Sequence, residues 1–380
     1  MADNEWIYLD YNASTPMAEP VVDKMMECLQ HQAHPSSPHP QGRSAASAID
    51  QARRHVAEAL GCKADEIVFG SGSTEAANHV IKGVCLGKPD VYHFISSQVD
   101  HAATVEPLRF LERLGHRVTF LPVDESGQVE PSAVERAIQD NTALVTLIHG
   151  QNEVGTVQPL AQISQICKAH NVPFHVDASQ SFGKVPVNVR ELQADFLNIA
   201  GHKVYGPKGV GALFIRQGRQ LEPLLHGGGH EKGYRSGTPA LPLIAGLGEA
   251  CRLVGELGLL STEPAERIWT VLHEGLGDKV RRNGHPVDRL PNVLHVTFDG
   301  VNGRELLNLA QVSASTGAAC HSATGSPVLR AMGFTAREAA GSVRLSCGRQ
   351  TTVEQAERAA QKLVASYREL SKACEMEKTQ

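Results

Sequence analysis

Short apolar runs rich in β-branched residues alternate with amphipathic stretches from about residue 66 onward. The runs are candidate strands, and they lie at 67–69, 91–95, 118–121, 144–148, 174–176, 196–199 and 211–215. Stretches with helical apolar spacing separate several of them, at 74–85, 131–138 and 160–170. Because parallel strands need a crossover connection, usually a helix, this alternation predicts an α/β fold with a mostly parallel sheet.

The alternation of short apolar runs and amphipathic stretches ends after Gly248. Longer helices are predicted around 249–257 and 268–276, strands at 293–298 and 342–346, and a charged helix from Thr352 to about Lys372. A chain of 380 residues suits one large domain with a smaller companion. We therefore predict a large α/β domain over residues 15–250, and a small α+β domain built from 1–14 together with 251–380.

Charge and composition exclude several classes of function. The net charge is −5, and acidic and basic residues are interspersed along the chain. The sequence therefore shows no cluster of basic residues that would bind nucleic acid or an anionic membrane. The apolar runs are shorter than a bilayer span. The eight cysteines are scattered without a Cys-x-x-Cys pair, so neither a metal site nor a disulfide framework is expected. The acidic start lacks a signal-peptide pattern, and we expect a cytoplasmic protein that acts on a small molecule.

A turn of small residues at 70–75 follows the strand at 67–69 and precedes a helix. Such a turn presents free backbone N–H groups at a helix N-terminus, where a phosphate can bind. Its Ser-Thr-Glu end is also an ordinary helix cap, which is the more frequent meaning of this pattern.

Two ionisable residues follow other predicted strands. Asp177 comes after 174–176, and Lys203 follows 196–199 through Ala200-Gly201-His202. An acid at a sheet edge can pair with a pyridinium or stabilise a turn. A partly desolvated lysine can form a Schiff base, although most lysines lie on the surface. A phosphate cradle, a pyridinium partner and a Schiff-base lysine are together the set that pyridoxal phosphate requires.

These residues belong to a longer series of short motifs, which resembles the class-V aminotransferase family and, within it, the cysteine desulfurase and selenocysteine lyase branch. The series spans nearly the whole chain, at 8–16, 71–75, 99–101, 151–155, 177–180, 201–203, 227–231, 235–238, 317–322 and 344–346. The resemblance implies a fold-type I pyridoxal-phosphate enzyme that forms a homodimer.

The resemblance also implies roles for individual residues. Lys203 would carry the cofactor as a Schiff base, Asp177 would pair with its pyridine nitrogen, and Gln180 would meet its phenolic oxygen. His101 would stack on the ring and is counted with the catalytic residues, although alone it resembles a partly buried structural histidine. Further implied cofactor contacts are Ser73, Thr74, Asn152, His202 and, from the opposite subunit, Thr238.

The implied substrate contacts are Asn12, Asn152 and Arg344. A guanidinium fork binds a carboxylate in a bidentate manner, so Arg344 would select an α-amino acid.

Cys320 determines the predicted reaction. It lies in a loop of small residues, whereas structural cysteines are usually packed in apolar cores. Its thiolate would attack the substrate sulfur and leave as a persulfide, with alanine as co-product. The neighbouring His321 is a candidate to assist deprotonation, although adjacent side chains need not face each other. Lys203 is the candidate proton shuttle.

The predicted substrate preference depends on positions at which this chain differs from the usual members of the branch. Ala200 stands where desulfurases usually carry Ser, and Ala102 where they often carry Lys. The stretch from His321 to Pro327 is shorter than in selenocysteine lyases. The short stretch fits neither subgroup, and it should limit how far Cys320 can carry a persulfide. Because selenium is the easier atom to release and need not be relayed by Cys320, we expect L-selenocysteine as the slightly favoured substrate. The first alternative is an L-cysteine desulfurase that forms a Cys320 persulfide for an acceptor protein.

Two further alternatives are an ordinary aminotransferase and a cofactor-binding docking protein with little turnover. The joint presence of Lys203, Asp177, Arg344 and Cys320 disfavours both.

Overall fold

The protein is described here from a computed structural model, which covers residues 6–30, 32–316 and 325–378, with side chains described to residue 373. Cys320 and His321 lie outside the described residues. The strands are β1 (Ile7–Tyr8), β2 (Ile67–Gly70), β3 (His93–Ser97), β4 (Arg117–Leu121), β5 (Thr142–Ile148), β6 (Phe174–Asp177), β7 (Phe196–Ala200), β8 (Gly211–Ile215), β9 (Val280–Arg282), β10 (Val293–Phe298), β11 (Val312–Ser313) and β12 (Ser342–Ser346).

The α-helices, given in chain order, connect and flank these strands. They are α1 (Glu19–Leu29), α2 (Pro40–Leu60), α3 (Ser73–Gly83), α4 (Ala102–Arg113), α5 (Pro131–Ala137), α6 (Leu160–Ala169), α7 (Leu241–Leu257), α8 (Glu263–Leu276), α9 (Gly303–Ala310), α10 (Pro327–Ala331), α11 (Ala336–Ala340) and α12 (Val353–Lys378). In the described part of the chain, no helix is both long enough and apolar enough to cross a membrane.

The main sheet has seven strands in the order β2-β8-β7-β6-β5-β3-β4. The pairs from β4 through β7 are parallel, and β8 runs antiparallel to both β7 and β2. The carboxyl ends of β2 and of the five parallel strands therefore meet at one edge of the sheet. This topology confirms the predicted α/β fold with a mostly parallel sheet.

Helices cover both faces of this sheet. One face packs against α1, α2, α6 and α7 in a large apolar core. The other face packs against α3 and α4 in a second cluster. Neighbouring residues of β3 show the alternation, since Phe94 lies in the second cluster and Ile95 in the first. Strands buried on both faces have continuous apolar sequences, which is why these runs were recognisable.

A separate core, called the second core below, lies around a three-stranded antiparallel sheet in the order β12-β10-β9. Helices α8, α9 and α12 contribute to it, and Ile7 and Leu9 from the N-terminal segment are buried in it. Strand β1 pairs in parallel with β11. The N-terminal segment is thereby attached to residues more than 300 positions away in the sequence.

Helix α7 differs from the sequence prediction. It begins at Leu241 rather than near residue 249, and Pro242 is tolerated because it lies in the first turn. The predicted domain boundary between residues 250 and 251 falls inside this helix, and Cys251 packs in the large core. Strand β3 begins at His93 rather than at Val91, whose side chain is 52% exposed. The division into domains stays a prediction.

The contact between α7 and α2 generates a stability prediction. A Cβ at Gly248 would lie 2.4 Å from the Cα of Ala52, whereas a Cβ at Gly255 of the same helix would meet nothing within 4 Å. We expect Gly248→Ala to lower the free energy of unfolding by about 1–3 kcal/mol, because the two helix backbones must separate. Gly255→Ala should raise it by about 0.5–1 kcal/mol. Urea unfolding of both variants measures this, and equal effects would contradict the packing.

Candidate active site

The carboxyl edge of the main sheet brings together most of the predicted site residues. Asp177 is the last residue of β6, and Lys203 ends the short 3-10 turn Gly201–Lys203 that follows β7. Because β6 and β7 are parallel neighbours, both residues emerge at the same edge. The N-terminal segment and β12 approach this edge from the second core, with a bridge between Asp10 and Ser346.

The start of α3 has the features of an anion site. Its N-cap is Gly72, which supplies no side-chain cap, so the backbone N–H groups of the first turn face outward. Gly72 has a φ of 148° and Gly211 of β8 packs directly beside it, since a Cβ at Gly211 would lie 2.8 Å from the Cα of Gly72. Thr74 is exposed in this first turn.

Asp177 lies in a network of buried polar groups. Its side chain is 3% exposed. Three hydrogen bonds reach the same oxygen, Oδ1: from Ser179 N at 3.0 Å, from the Ser179 hydroxyl, and from Asn198 Nδ2 at 2.8 Å. Asn198 Nδ2 also lies 2.5 Å from Ser73 Oγ. The network joins the predicted pyridine partner to the predicted phosphate end.

The Lys203 amine contacts the N-terminal segment. Its Nζ donates to the backbone oxygens of Asn12 at 2.5 Å and Ala13 at 3.0 Å. The preceding His202 lies 3.3 Å from Ser14 Oγ through Nδ1. Burial, followed by the nearby Lys203 charge, lowers the pKa of His202 to about 4. His202 is therefore a neutral ring at pH 7, able to offer one N–H and one acceptor.

Gln180 follows β6 and is 4% exposed. Its Nε2 donates to Asn12 O at 2.9 Å, and its Oε1 accepts from Lys184 Nζ at 2.7 Å. The backbone oxygen of Asn12 therefore receives both the Gln180 amide and the Lys203 amine.

Arg344 lies in the middle of β12 and is 8% exposed. Nη1 donates to Asn152 O at 2.9 Å, and Nη2 donates to Asp10 Oδ1 at 2.6 Å. Its Nε is a buried donor without a partner among the described residues. A buried donor of this kind is costly until a ligand accepts from it. Asn12 Nδ2 donates to the same Asn152 oxygen at 3.2 Å, so the three predicted substrate contacts are adjacent.

His101 is the N-cap of α4, and its ring is exposed. Nδ1 accepts the Ala103 N–H at 3.1 Å, which places the ring proton on Nε2. The preceding Asp100 is fully buried and accepts from Ser96, Ser97 and the backbone of Ile148. Burial raises the pKa of Asp100 to about 6. This cluster anchors the backbone that presents the exposed His101 ring.

Thr238 is exposed, in a segment held by two ion pairs. Arg53 pairs with Glu231 at 2.7 Å, and Arg235 pairs with Glu75 of the first turn of α3 at 3.0 Å. A contact of Thr238 with an opposite subunit stays a prediction, as does the homodimer.

These groups fit pyridoxal phosphate. An uncapped helix N-terminus suits its phosphate, a hydrogen-bonded buried carboxylate suits its pyridinium, and Lys203 supplies an amine at the same edge of the sheet. The sequence had suggested no role for Asn198, Ser179, Asp10 or Lys184, although Asp10 and Ser179 lie within recognised motifs. A polar Asn in the apolar strand β7 was the one available signal, because a buried polar side chain requires partners.

Comparisons with known proteins agree with this geometry. The model of the family "Aminotransferase class-V" matches residues 7–359. The cysteine desulfurase IscS of Dictyoglomus turgidum is 41% identical over 362 residues, covering 92% of this chain and 91% of that protein. The cysteine desulfurase IscS of Proteus mirabilis is 40% identical over 387 residues, covering 98% of this chain and 96% of that protein.

Solved structures show the same similarity. A NifS-like protein superimposes with a TM-score of 0.86 at 32% identity, covering 95% of this chain and 99% of its own. The structure of SspA in complex with cysteine has a TM-score of 0.81 at 38% identity, covering 89% of this chain and 98% of that chain. With a family match over nearly its full length and these relatives, the chain belongs to the class-V aminotransferases, as a pyridoxal-phosphate-dependent enzyme of fold-type I in the cysteine desulfurase and selenocysteine lyase branch.

Proposed function

We propose that the protein is an L-cysteine desulfurase, which converts L-cysteine to L-alanine and carries the sulfur as a persulfide on Cys320. The supporting observation is the hydrogen-bonded path from Lys203 to Arg344. Asn12 O accepts from Lys203 Nζ, and Asn152 O accepts from both Asn12 Nδ2 and Arg344 Nη1. An amino acid whose carboxylate binds at Arg344 has its α-amino group on the side of Lys203.

Cysteine takes precedence over selenocysteine in this proposal. The relatives at about 40% identity are named cysteine desulfurases, and the SspA structure is described with cysteine. The sequence-based preference for selenocysteine finds no support in these names. It rested partly on Ala102, which is exposed in the first turn of α4 and is therefore a weak guide to the substrate.

Each site residue has its own role in the proposed reaction. When bound, pyridoxal phosphate would withdraw electrons from the substrate α-carbon. Arg344 and Asn152 hold the carboxylate, and the exposed His101 ring offers a stacking face. Lys203 removes the proton at Cα and returns one at Cβ. The neutral His202 and the first turn of α3 hold the phosphate.

The sulfur step requires the Cys320 thiolate. It attacks the substrate sulfur, an S–S bond forms and the Cβ–S bond breaks. The electron pair of the broken bond stays with carbon, which takes a proton and becomes the methyl group of alanine. The persulfide then passes its outer sulfur to a thiol of an acceptor protein.

Chain connectivity supports the Cys320 role. Ser315 and Arg344 exchange backbone hydrogen bonds at 3.2 and 2.7 Å. Cys320 follows Ser315 by five residues, and five residues span at most about 18 Å. On the C-terminal side of the stretch that contains Cys320, Ser326 Oγ donates to Glu153 Oε2 at 2.6 Å, and Glu153 is next to Asn152 in the sequence. A homodimer and a cytoplasmic location, as the resemblance and composition imply, are part of the same proposal.

Lys203→Ala should abolish turnover and remove the absorbance band of the lysine-bound cofactor. The amine is the group that would bind the cofactor covalently, and alanine cannot replace it. Lys168→Ala, at an exposed lysine of α6, is the matched control and should keep both. Absorbance spectra and alanine release measure the outcome, and a parent-like band in Lys203→Ala refutes the assignment.

Arg344→Ala should raise the KM for cysteine about 10- to 100-fold while the cofactor remains bound. A charge-assisted hydrogen bond contributes about 1.5–3 kcal/mol, and each 1.4 kcal/mol corresponds to tenfold. Arg304→Ala, at an exposed arginine of α9, should leave KM unchanged. Steady-state kinetics with a cofactor absorbance check provide the test. An unchanged KM in Arg344→Ala would place the carboxylate elsewhere.

Cys320→Ser should stop sulfur release from cysteine but leave substantial selenide release from selenocysteine. A selenol is already ionised near neutral pH and is a better leaving group, so it depends less on a protein thiolate. Cys62→Ser is the control, because Cys62 is only half-buried and burial raises its thiol pKa to about 12. Alanine, sulfide and selenide are measured for each substrate. Equal survival of both activities would show that Cys320 is not the sulfur acceptor.

A further inference from the structure

Lys184 is a buried lysine for which the proposed reaction has no role. It lies seven residues after Asp177 and is 4% exposed. Its Nζ donates to Gln180 Oε1 at 2.7 Å and to Asn12 Oδ1 at 2.9 Å, and both acceptors are neutral amide oxygens. Lysines are almost never fully buried unless they are paired with a carboxylate. The cost of burying this one calls for an explanation.

The consequence of the Lys184 contact is the orientation of the Gln180 amide. A glutamine side chain has an oxygen that only accepts and a nitrogen that only donates. Lys184 presents N–H groups to one side of this amide, and the backbone oxygen of Asn12 lies on the other side, 2.9 Å from Nε2. Both neighbours favour the same orientation, with Oε1 toward Lys184 and Nε2 toward Asn12.

This orientation places a donor beside the Lys203 amine. Asn12 O accepts from Lys203 Nζ at 2.5 Å and from Gln180 Nε2 at 2.9 Å, so the two nitrogens are neighbours around one oxygen. Asn12 O uses one N–H of the Gln180 amide. The other N–H is the group from which the phenolic oxygen of a cofactor bound at Lys203 would accept. With the amide reversed, two oxygens would face each other and repel.

The electrostatic surroundings agree with a role for Lys184 as a donor. Burial, followed by the charges of Lys203 and Arg344, lowers the pKa of Lys184 well below its usual value. The amine keeps N–H groups in either protonation state, so its contact with Gln180 persists. The charged groups that act on Lys184 are thus both basic, and the contact works through hydrogen bonding rather than through an ion pair.

We propose that Lys184 is a positioning residue for the cofactor, which holds the Gln180 amide with its nitrogen toward the phenolic oxygen and acts on the reaction only through Gln180. The inference rests on the proposed roles of Gln180 and Lys203. It is independent of whether the substrate carries sulfur or selenium.

The test uses Lys184→Met in the cofactor-loaded enzyme, because methionine fills a similar volume without a donor. The readout is the pH midpoint at which the absorbance band of the lysine-bound cofactor changes. A donor to the phenolate oxygen favours its charged form. Without a fixed donor the proton is held more tightly, and the midpoint should rise by about half a unit to one unit. An unmoved midpoint overturns the proposal.

A double variant separates positioning from a charge acting through space. Gln180→Leu alone should raise the midpoint, and Lys184→Met added to it should move the midpoint no further if Lys184 acts through Gln180. A further shift in the double variant overturns the proposal. Lys184→Gln, which keeps an N–H donor without a charge, should have a midpoint near the parent value, and it keeps the test decisive if Lys184→Met does not fold. A raised midpoint in Lys184→Gln counts against the proposal.

Failure of the proposed function gives a different result. If the parent enzyme shows no band that depends on Lys203, the assignment of Lys203 fails before Lys184 is tested. If that band is present and its midpoint is unaffected by Lys184→Met, only the role of Lys184 fails.

Discussion

The backbone oxygen of Asn12 is the junction on which the site depends. It accepts hydrogen bonds from Gln180 and Lys203, two residues that follow neighbouring strands of the main sheet. A backbone carbonyl cannot move without moving its chain, and this chain is fixed three residues earlier, where Leu9 is fully buried in the second core and bonded to Ser313 and Ser346. The geometry around Lys203 is therefore coupled to the packing of a core that contains none of the predicted cofactor contacts of the sheet edge.

The sheet tolerates polar residues at its edge because their hydrogen bonds are largely satisfied. His175 in β6 contacts Thr146 and Asn198 at 2.7 Å each, and Asn198 continues the network to Asp177. Burial lowers the pKa of His175 to about 4, so its ring is neutral and serves as a relay of hydrogen bonds rather than as a charge. Such a network is costly when incomplete and rigid when complete. It holds the carboxylate of Asp177 in one orientation.

Electrostatic contacts connect the anion site to the rest of the molecule. Glu75, in the first turn of α3, accepts from Ser71 N at 2.9 Å and pairs with Arg235 at 3.0 Å. The pair ties the segment that carries Thr238 to the same helix N-terminus. Asp10 pairs with Arg344, the predicted ligand of the substrate carboxylate. Asp10 and Glu75 are acidic residues that pair with arginines near the site, and these pairs are not visible in any single sequence motif.

The sequence by itself determined the α/β architecture, the strands at 211–215, 293–298 and 342–346, and the placement of Asp177 and Lys203 at one sheet edge. These features follow from local periodicity and from the rule that parallel strands share a carboxyl edge. Only the tertiary structure decided that Asn12 meets Lys203, that Asn152 meets Arg344, and that Lys184 turns inward to Gln180. The first two contacts join residues more than 190 positions apart, and Lys184, although only four residues from Gln180, has its second acceptor on the distant Asn12. They depend on how the second core packs against the sheet, whereas a sequence pattern reports only on neighbours within a few residues.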